Sequence, residues 1–268
     1  MIKANLADST SLQNAIKQAQ PDEIYNLAAQ SSVTISFQQP ISTVDVTGVG
    51  VMRILEALKQ YTPATKFYQA STSEMYGNHP DVKTENSPFK PRSPYGCAKI
   101  FAHHITVNYR ESYNIFACCG ILFNHESPLR GMEFVTRKIT STFAAIKMKK
   151  SSKLHLGNIN IKRDWGFAGD YVKTMWMMLQ QSSPKDYIIA TGESHTLEEF
   201  LTLAAEYAGI GDWQDHVIID ESIKRPADVE GSIGDASKAR DELGWKPQLS
   251  FKELVKLMVE HDLNYYKS

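Results

Sequence analysis

The sequence predicts an α/β chain built on a doubly wound parallel sheet, with a second, smaller α/β lobe toward its C-terminal end. Two patterns predict this. Through about residue 150, short apolar runs alternate with stretches of helical periodicity, and strands alternating with helices form parallel sheets covered on both faces. Beyond that point the strand candidates shorten and lose their regular spacing. This marks 151–268 as a separate lobe, with some strand and helix exchange with 1–150.

Asp8 or Ser9 caps a helix whose Leu12, Ala15, Ile16 and Ala19 fall on one face, and Pro21 stops it. The apolar run 23–28 is a strand bounded by turn formers, and a long helical pattern follows over 41–58. Residues 66–70 then read as a strand, 94–113 as a helix, 115–123 as a strand and 134–149 as a helix. In the second lobe the strand candidates are 153–156, 187–190 and 217–219. Two capping boxes, Thr196 with Glu199 and Ser250 with Glu253, open helices there, while Gly209 and Gly244 stand where helices end. The basic run Lys147, Lys149 and Lys150 reads as a helix end complementing its dipole rather than as an anion site.

Of the 268 residues, 42% are hydrophobic and 22% charged, a composition neither disordered nor membrane-spanning. Lys and Arg total 29 against 30 Asp and Glu, so no general field draws the chain to nucleic acid or to an anionic membrane. Neither partner is expected. The three cysteines, Cys97, Cys118 and Cys119, are odd in number, and the adjacent pair points to opposite faces of a strand, so no disulfide framework is implied. With no signal-like apolar start and no run of about 18 apolar residues, the expected compartment is the reducing cytoplasm. His103 and His104 are expected on different helix faces, and the eight histidines show no ligand spacing, so no metal is expected.

Ligands of an open parallel sheet bind beyond the carboxyl ends of its strands. Three apolar runs end there in polar clusters: Ala29-Gln30-Ser31, Ser71-Thr72-Ser73-Glu74 and Asn124-His125-Glu126-Ser127. Turn preference for Ser and Asn explains one such end better than three. The strongest local signal is Tyr95-Gly96-Cys97-Ala98-Lys99, where Ser93 caps a helix and Pro94 takes its first position. Tyr95 and Lys99 then share a face with Cβ atoms roughly 5–6 Å apart, and the ammonium and the positive helix start both favour a phenolate. By itself such a pair usually means an ordinary surface contact. A strand-end cluster with Thr72 and Glu74 just before it points to a base at work.

The segments Asn26-Leu27-Ala28-Ala29-Gln30-Ser31, Ser71-Thr72-Ser73-Glu74-Met75-Tyr76-Gly77, Tyr95 to Lys99, Phe123-Asn124-His125-Glu126-Ser127-Pro128 and Arg163-Asp164-Trp165-Gly166 occur in that order. Together they resemble the GDP-mannose 4,6-dehydratase family of extended short-chain dehydrogenases/reductases. The resemblance runs from Leu6 to Asp262. Ser73 stands where a dTDP-glucose dehydratase carries Asp, and related epimerases and reductases generally lack the Glu at position 74.

What the resemblance implies is a Rossmann-like NADP-binding domain over 1–150, a mainly substrate-binding lobe over 151–268, GDP-mannose as substrate, and a homo-oligomer, dimer or tetramer. Thr72, Glu74, Tyr95 and Lys99 are the implied catalytic residues. Asn5, Leu6, Leu27, Ala28, Ala29, Gln30, Ser31, Tyr95, Lys99, His125 and Arg130 are the implied cofactor contacts. Asn124, Lys138, Arg163 and Arg225 are the implied substrate contacts, although the spacing of Arg225 fits a surface ion pair equally well.

The family opens with a strand and a glycine-rich turn that cradles the cofactor pyrophosphate, and no suitably placed turn of that kind occurs among these residues. Residues 1–5 are accordingly expected to be the remnant of the third strand, and the strand at 23–28 to lie exposed at a sheet edge. Ser32, Leu129 and Asp228 replace a usual His, Arg and Glu. Two competing readings follow from these departures. Another GDP-sugar reductase or epimerase is disfavoured by Glu74, and a non-catalytic sugar-nucleotide-binding subunit is motivated by the missing glycine turn.

Overall fold

A computed structural model describes residues 1–223, 227 and 229–267. The Asp8 side chain caps α1 (Ser9–Ala19) by accepting from the Thr10 amide, and β1 (Glu23–Asn26) follows. The stretch expected as one helix over 41–58 is broken. It consists of α2 (Val33–Gln38), which begins earlier under a Ser32 cap, then α3 (Pro40–Val44), a π-helical turn at Asp45–Val49 and α4 (Gly50–Tyr61). Pro40 lacks an amide hydrogen and opens a new helix, while the π turn inserts a wider loop that packs Thr47 and Gly48 rather than apolar side chains.

The chain continues through β2 (Lys66–Thr72), α5 (Pro94–Tyr113), β3 (Ala117–Leu122), β4 (Asn124–Glu126) and α6 (Val135–Lys147). Then come β5 (Leu154–Leu156), β6 (Lys162–Arg163), β7 (Trp165–Phe167), α7 (Ala168–Leu179), β8 (Tyr187–Ile189) and β9 (His195–Thr196). The last elements are α8 (Leu197–Ala208), β10 (Val217–Ile219), α9 (Ser237–Leu243) and α10 (Phe251–Lys267).

These elements group into two interleaved units. The first comprises Met1–Leu122, Val172–Ile189 and Asp235–Trp245, and the second Phe123–Tyr171, Ala190–Gly234 and Lys246–Ser268. The first unit holds a parallel sheet in the order β1-β2-β3-β8, with Tyr25 opposite Tyr68 and Tyr68 opposite Cys118. β1 is its edge among the described residues. Leu12 and Ile16 of α1 pack with Val51, Ile54, Leu55 and Leu58 of α4, and with Phe67, Ala102 and Ala117, in one buried cluster. Each large side chain buried there contributes roughly 1.5–3 kcal/mol. Residues 1–5 form no strand, which corrects that expectation. The Asn5 side chain accepts instead from the Ala7 amide, and its carbonyl accepts from Asp8, a local turn that competes with extension.

The second unit has shorter sheets: β4 with β7 and β5 with β10 in parallel, and β6 with β9 antiparallel. Its core gathers Phe143, Trp165, Phe200, Leu201, Leu254 and Met258. Both expected capping boxes form, at Thr196 with Glu199 and at Ser250 with Glu253. Lys147 and Lys150 donate to the carbonyls of Gly209 and Tyr266. No helix among the described residues is long and apolar enough to cross a membrane.

Candidate active site

The implied catalytic residues all lie in the first unit, at two adjoining places: the carboxyl end of β2 and the first turns of α5. Thr72 is the last residue of β2, and its hydroxyl accepts from the Glu74 amide at 3.3 Å, opening a 3₁₀ turn over Ser73–Met75. Glu74 is half-buried on that turn. Gly77 closes the segment at φ +59°, where a Cβ would strike the Lys90 carbonyl. At the head of α5 the Ser93 hydroxyl accepts from the Gly96 amide at 3.1 Å, with Pro94 in the first position as expected. A Cβ on Gly96 would lie 3.0 Å from the Glu74 carbonyl, so the missing side chain lets the helix start and the glutamate turn approach closely.

Lys99 is 4% exposed, donates from Nζ to the Ala70 carbonyl at 2.7 Å, and lies 5.8 Å from the centre of the Tyr95 ring. Burial pushes its pKa down to about 8. One turn further on, Nδ1 of His103 lies 3.0 Å from the Ser71 hydroxyl. His103 is buried and His104 exposed, while both rings pack edge-on against Phe89 and lie 5.5 Å apart. Phe89 belongs to the loop entering α5, and it reaches across both positions.

In the loop after β1, Leu27, Ala28 and Ser31 are exposed and Ala29 half-buried. The Gln30 amide builds the loop: its Nε2 donates to the Ser32 carbonyl and the Thr43 hydroxyl, and its Oε1 accepts from the Ser32 amide. The Leu6 carbonyl accepts from Arg53 at 2.9 Å.

The remaining implied contacts among the described residues lie in the second unit. Asn124 and His125 sit on β4, opposite Trp165 and Gly166 of β7. His125 stacks on Tyr171 at 5.0 Å, and its Nδ1 meets the Phe123 carbonyl at 2.8 Å. Arg130 pairs with Glu126 at 3.4 Å and lies 3.6 Å over the Phe134 ring. The Lys138 ammonium donates to the His155 carbonyl at 2.6 Å. Arg163 is 5% exposed on β6, two residues before Trp165. Leu129 is 90% exposed. Arg225 and Asp228 lie outside the described residues.

Two buried carboxylates, to which the sequence assigned no role, organise this second set. Asp164 is fully buried and accepts from the Thr191 amide and hydroxyl at 2.8 and 2.7 Å, the Gly192 amide at 3.0 Å and the Gly234 amide at 3.4 Å. Glu126 accepts from the Thr136 hydroxyl at 2.7 Å. Burial raises the pKa of both. Their positions directly after Arg163 and His125 were the available signal.

A parallel sheet whose strand-end Thr and Glu precede a helix carrying Tyr-x-x-x-Lys defines a short-chain dehydrogenase/reductase. The family model described as GDP-mannose 4,6 dehydratase matches residues 1–258. GDP-mannose 4,6 dehydratase 2 of Arabidopsis thaliana is 54% identical, over 98% of this chain and 72% of its own length. The human GDP-mannose 4,6 dehydratase is 46% identical, over 98% of this chain and 76% of its own. A solved UDP-glucose 4-epimerase of Thermus thermophilus, in complex with NAD, superposes at a TM-score of 0.87 with 27% identity, over 97% of this chain and 84% of its own. The chain belongs to the GDP-mannose 4,6-dehydratase family.

Proposed function

We propose that this chain converts GDP-mannose to GDP-4-keto-6-deoxymannose, with NADP as its resident cofactor. Loss of the C6 hydroxyl is difficult while the C5 hydrogen is not acidic, so C4 is first oxidised to a ketone. When bound, NADP would supply a hydride acceptor for C4 and, in its reduced form, a hydride donor for C6. Tyr95 removes the C4 hydroxyl proton, assisted by the positive charge of Lys99 and by the helix start. Thr72 hydrogen-bonds the C4 oxygen. Glu74 takes the C5 proton once the ketone has acidified it, then delivers a proton to the departing C6 oxygen, so that water leaves; the proton Tyr95 took balances the one that C5 regains as C6 is reduced, which restores both residues.

The observation that carries this reading is the convergence of the β2 end and the α5 head, tied by the Lys99 to Ala70 hydrogen bond and by the close packing of Gly96 on the Glu74 carbonyl. The cofactor fits the residues available for it. An ammonium has three donors, Ala70 takes one, and the others are those a ribose diol would use. Exposed Leu27 and small Ala28 and Ala29 leave the loop after β1 open to a flat ring system. Asn124, Lys138, Arg163 and Arg225 hold the sugar and diphosphate, where guanidinium forks match phosphate oxygens. The protein is a homo-oligomer of the cytoplasm, in keeping with three free cysteines of which two are buried.

Incubation with GDP-mannose and NADP, followed by NMR of the sugar nucleotide, is expected to yield the 4-keto-6-deoxy product. Absence of that product would overturn the assignment. Separate titrations with each ligand distinguish a binding subunit, which takes the sugar nucleotide without the cofactor.

A further inference from the structure

His103 is a buried titratable side chain to which the chemistry above gives no role. It is 7% exposed and packs edge-on against Phe89 at 5.4 Å and His104 at 5.5 Å. Its Nδ1 is 3.0 Å from the hydroxyl of buried Ser71, and its own carbonyl accepts from the buried Cys119 thiol at 3.8 Å. Burial holds the imidazole near pKa 4, so it is neutral at physiological pH. The nearby charges, Asp186 and Arg110, are paired with each other at 2.8 Å.

Consecutive residues of β2 are therefore fastened to α5 at positions one helical turn apart. The Ala70 carbonyl accepts from Lys99, and the Ser71 hydroxyl meets His103. One such bond leaves the strand end free to pivot, whereas two at adjacent residues fix both its height and its rotation. Thr72 follows directly, and its hydroxyl in turn holds the Glu74 amide.

We propose that His103 is a positioning residue, which through Ser71 locks the carboxyl end of β2 in register with α5 and so holds Thr72 and Glu74 against Tyr95 and Lys99. This rests on the reading of those four as the reacting groups. The neutral ring suits the task, because it bonds a hydroxyl without bringing a net charge beside the Lys99 ammonium.

The test uses His103→Leu, His103→Asn, Ser71→Ala and the Leu/Ala double variant in the full chain, with rates corrected for folded fraction. His103→Leu is expected to lower kcat ~10- to 100-fold, the size of loss a misplacement of about 1 Å produces, with KM for GDP-mannose unchanged. Ser71→Ala should match it, and the double variant should be no slower than either single one. His103→Asn, whose amide nitrogen reaches the Nδ1 position, should recover most of the rate. Hydrogen exchange at residues 71–75 should quicken in His103→Leu and Ser71→Ala. An unchanged kcat, losses that multiply in the double variant, or unchanged exchange at 71–75 would each overturn the proposal. If the parent protein gives no product, the functional reading fails and the exchange measurement alone decides the positioning role. Should His103→Leu not fold, Ser71→Ala and His103→Asn carry the same comparison.

Discussion

The two regions that carry the candidate site hold their residues by different means. In the first unit, Thr72, Glu74, Tyr95 and Lys99 sit on a seven-residue strand, the turn directly after it and a twenty-residue helix, fastened by a main-chain carbonyl and a histidine. In the second, Asn124, His125 and Arg163 sit on strands of two or three residues, and what steadies them is buried charge. Asp164 gathers three segments, Glu126 anchors Thr136 and Arg130, and Asp262 pairs with Arg137 at 2.6 Å while accepting from Thr140 at 2.7 Å. In the proposed reading, regular backbone places the chemistry and polar knots place the recognition. The contrast suits the tasks: proton transfer demands tight geometry, whereas a diphosphate is bound by several forked contacts.

The strongest way to break this contrast is to remove chemistry without touching the scaffold. Glu74→Gln is expected to lower kcat by roughly 10²- to 10⁴-fold while leaving GDP-mannose affinity intact, as measured by turnover and calorimetry. A loss of affinity with normal kcat would instead make Glu74 a recognition residue.

Asp262→Ala attacks a knot. It strands the buried Arg137 guanidinium and should cost about 3–5 kcal/mol in chemical denaturation. A loss below about 1 kcal/mol, the range of an exposed pair, would remove the argument that charge holds this unit together.

The buried lysine sharpens the comparison through pH. Its folded pKa, about 8, lies below the ordinary 10.5, so between these values the unfolded chain binds more protons and stability rises with pH. Lys99→Met should flatten that rise, by an amount on the order of a few kcal/mol. Urea melts at pH 7.5 and pH 10 read it, and identical slopes in the two proteins would contradict it.

The mildest expected effect is Thr196→Ala, which opens the capping box of α8 and should cost about 1 kcal/mol in the same melts.

These differences also explain what was legible in the sequence. The start of α5 follows from Ser93 and Pro94, and both capping boxes and the glycine ends at 209 and 244 carry local chemistry that needs no partner. The apolar pattern could not reveal the π turn, because the residues packed there are Thr47 and Gly48, while the apolar Ile41 and Val44 before it are exposed. Short strands such as β6 and β9 have too few residues for a period, and α7 begins among glycines that read as a turn. Asp164, Glu126 and Asp262 were hidden for another reason. A carboxylate reads as exposed until the amides, hydroxyls and guanidinium that satisfy it are assembled from distant segments.

The acceptor for Lys99 is the peptide oxygen of residue 70. Every amino acid supplies that atom, so mutation at 70 cannot delete the anchor as it can delete an aspartate or a serine. Such an attachment has no side chain for drift to erode, and it loosens only when the ribbon itself shifts. The lysine is thereby insulated from point substitution on one side of the contact, and the vulnerable half of the bond is its own ammonium.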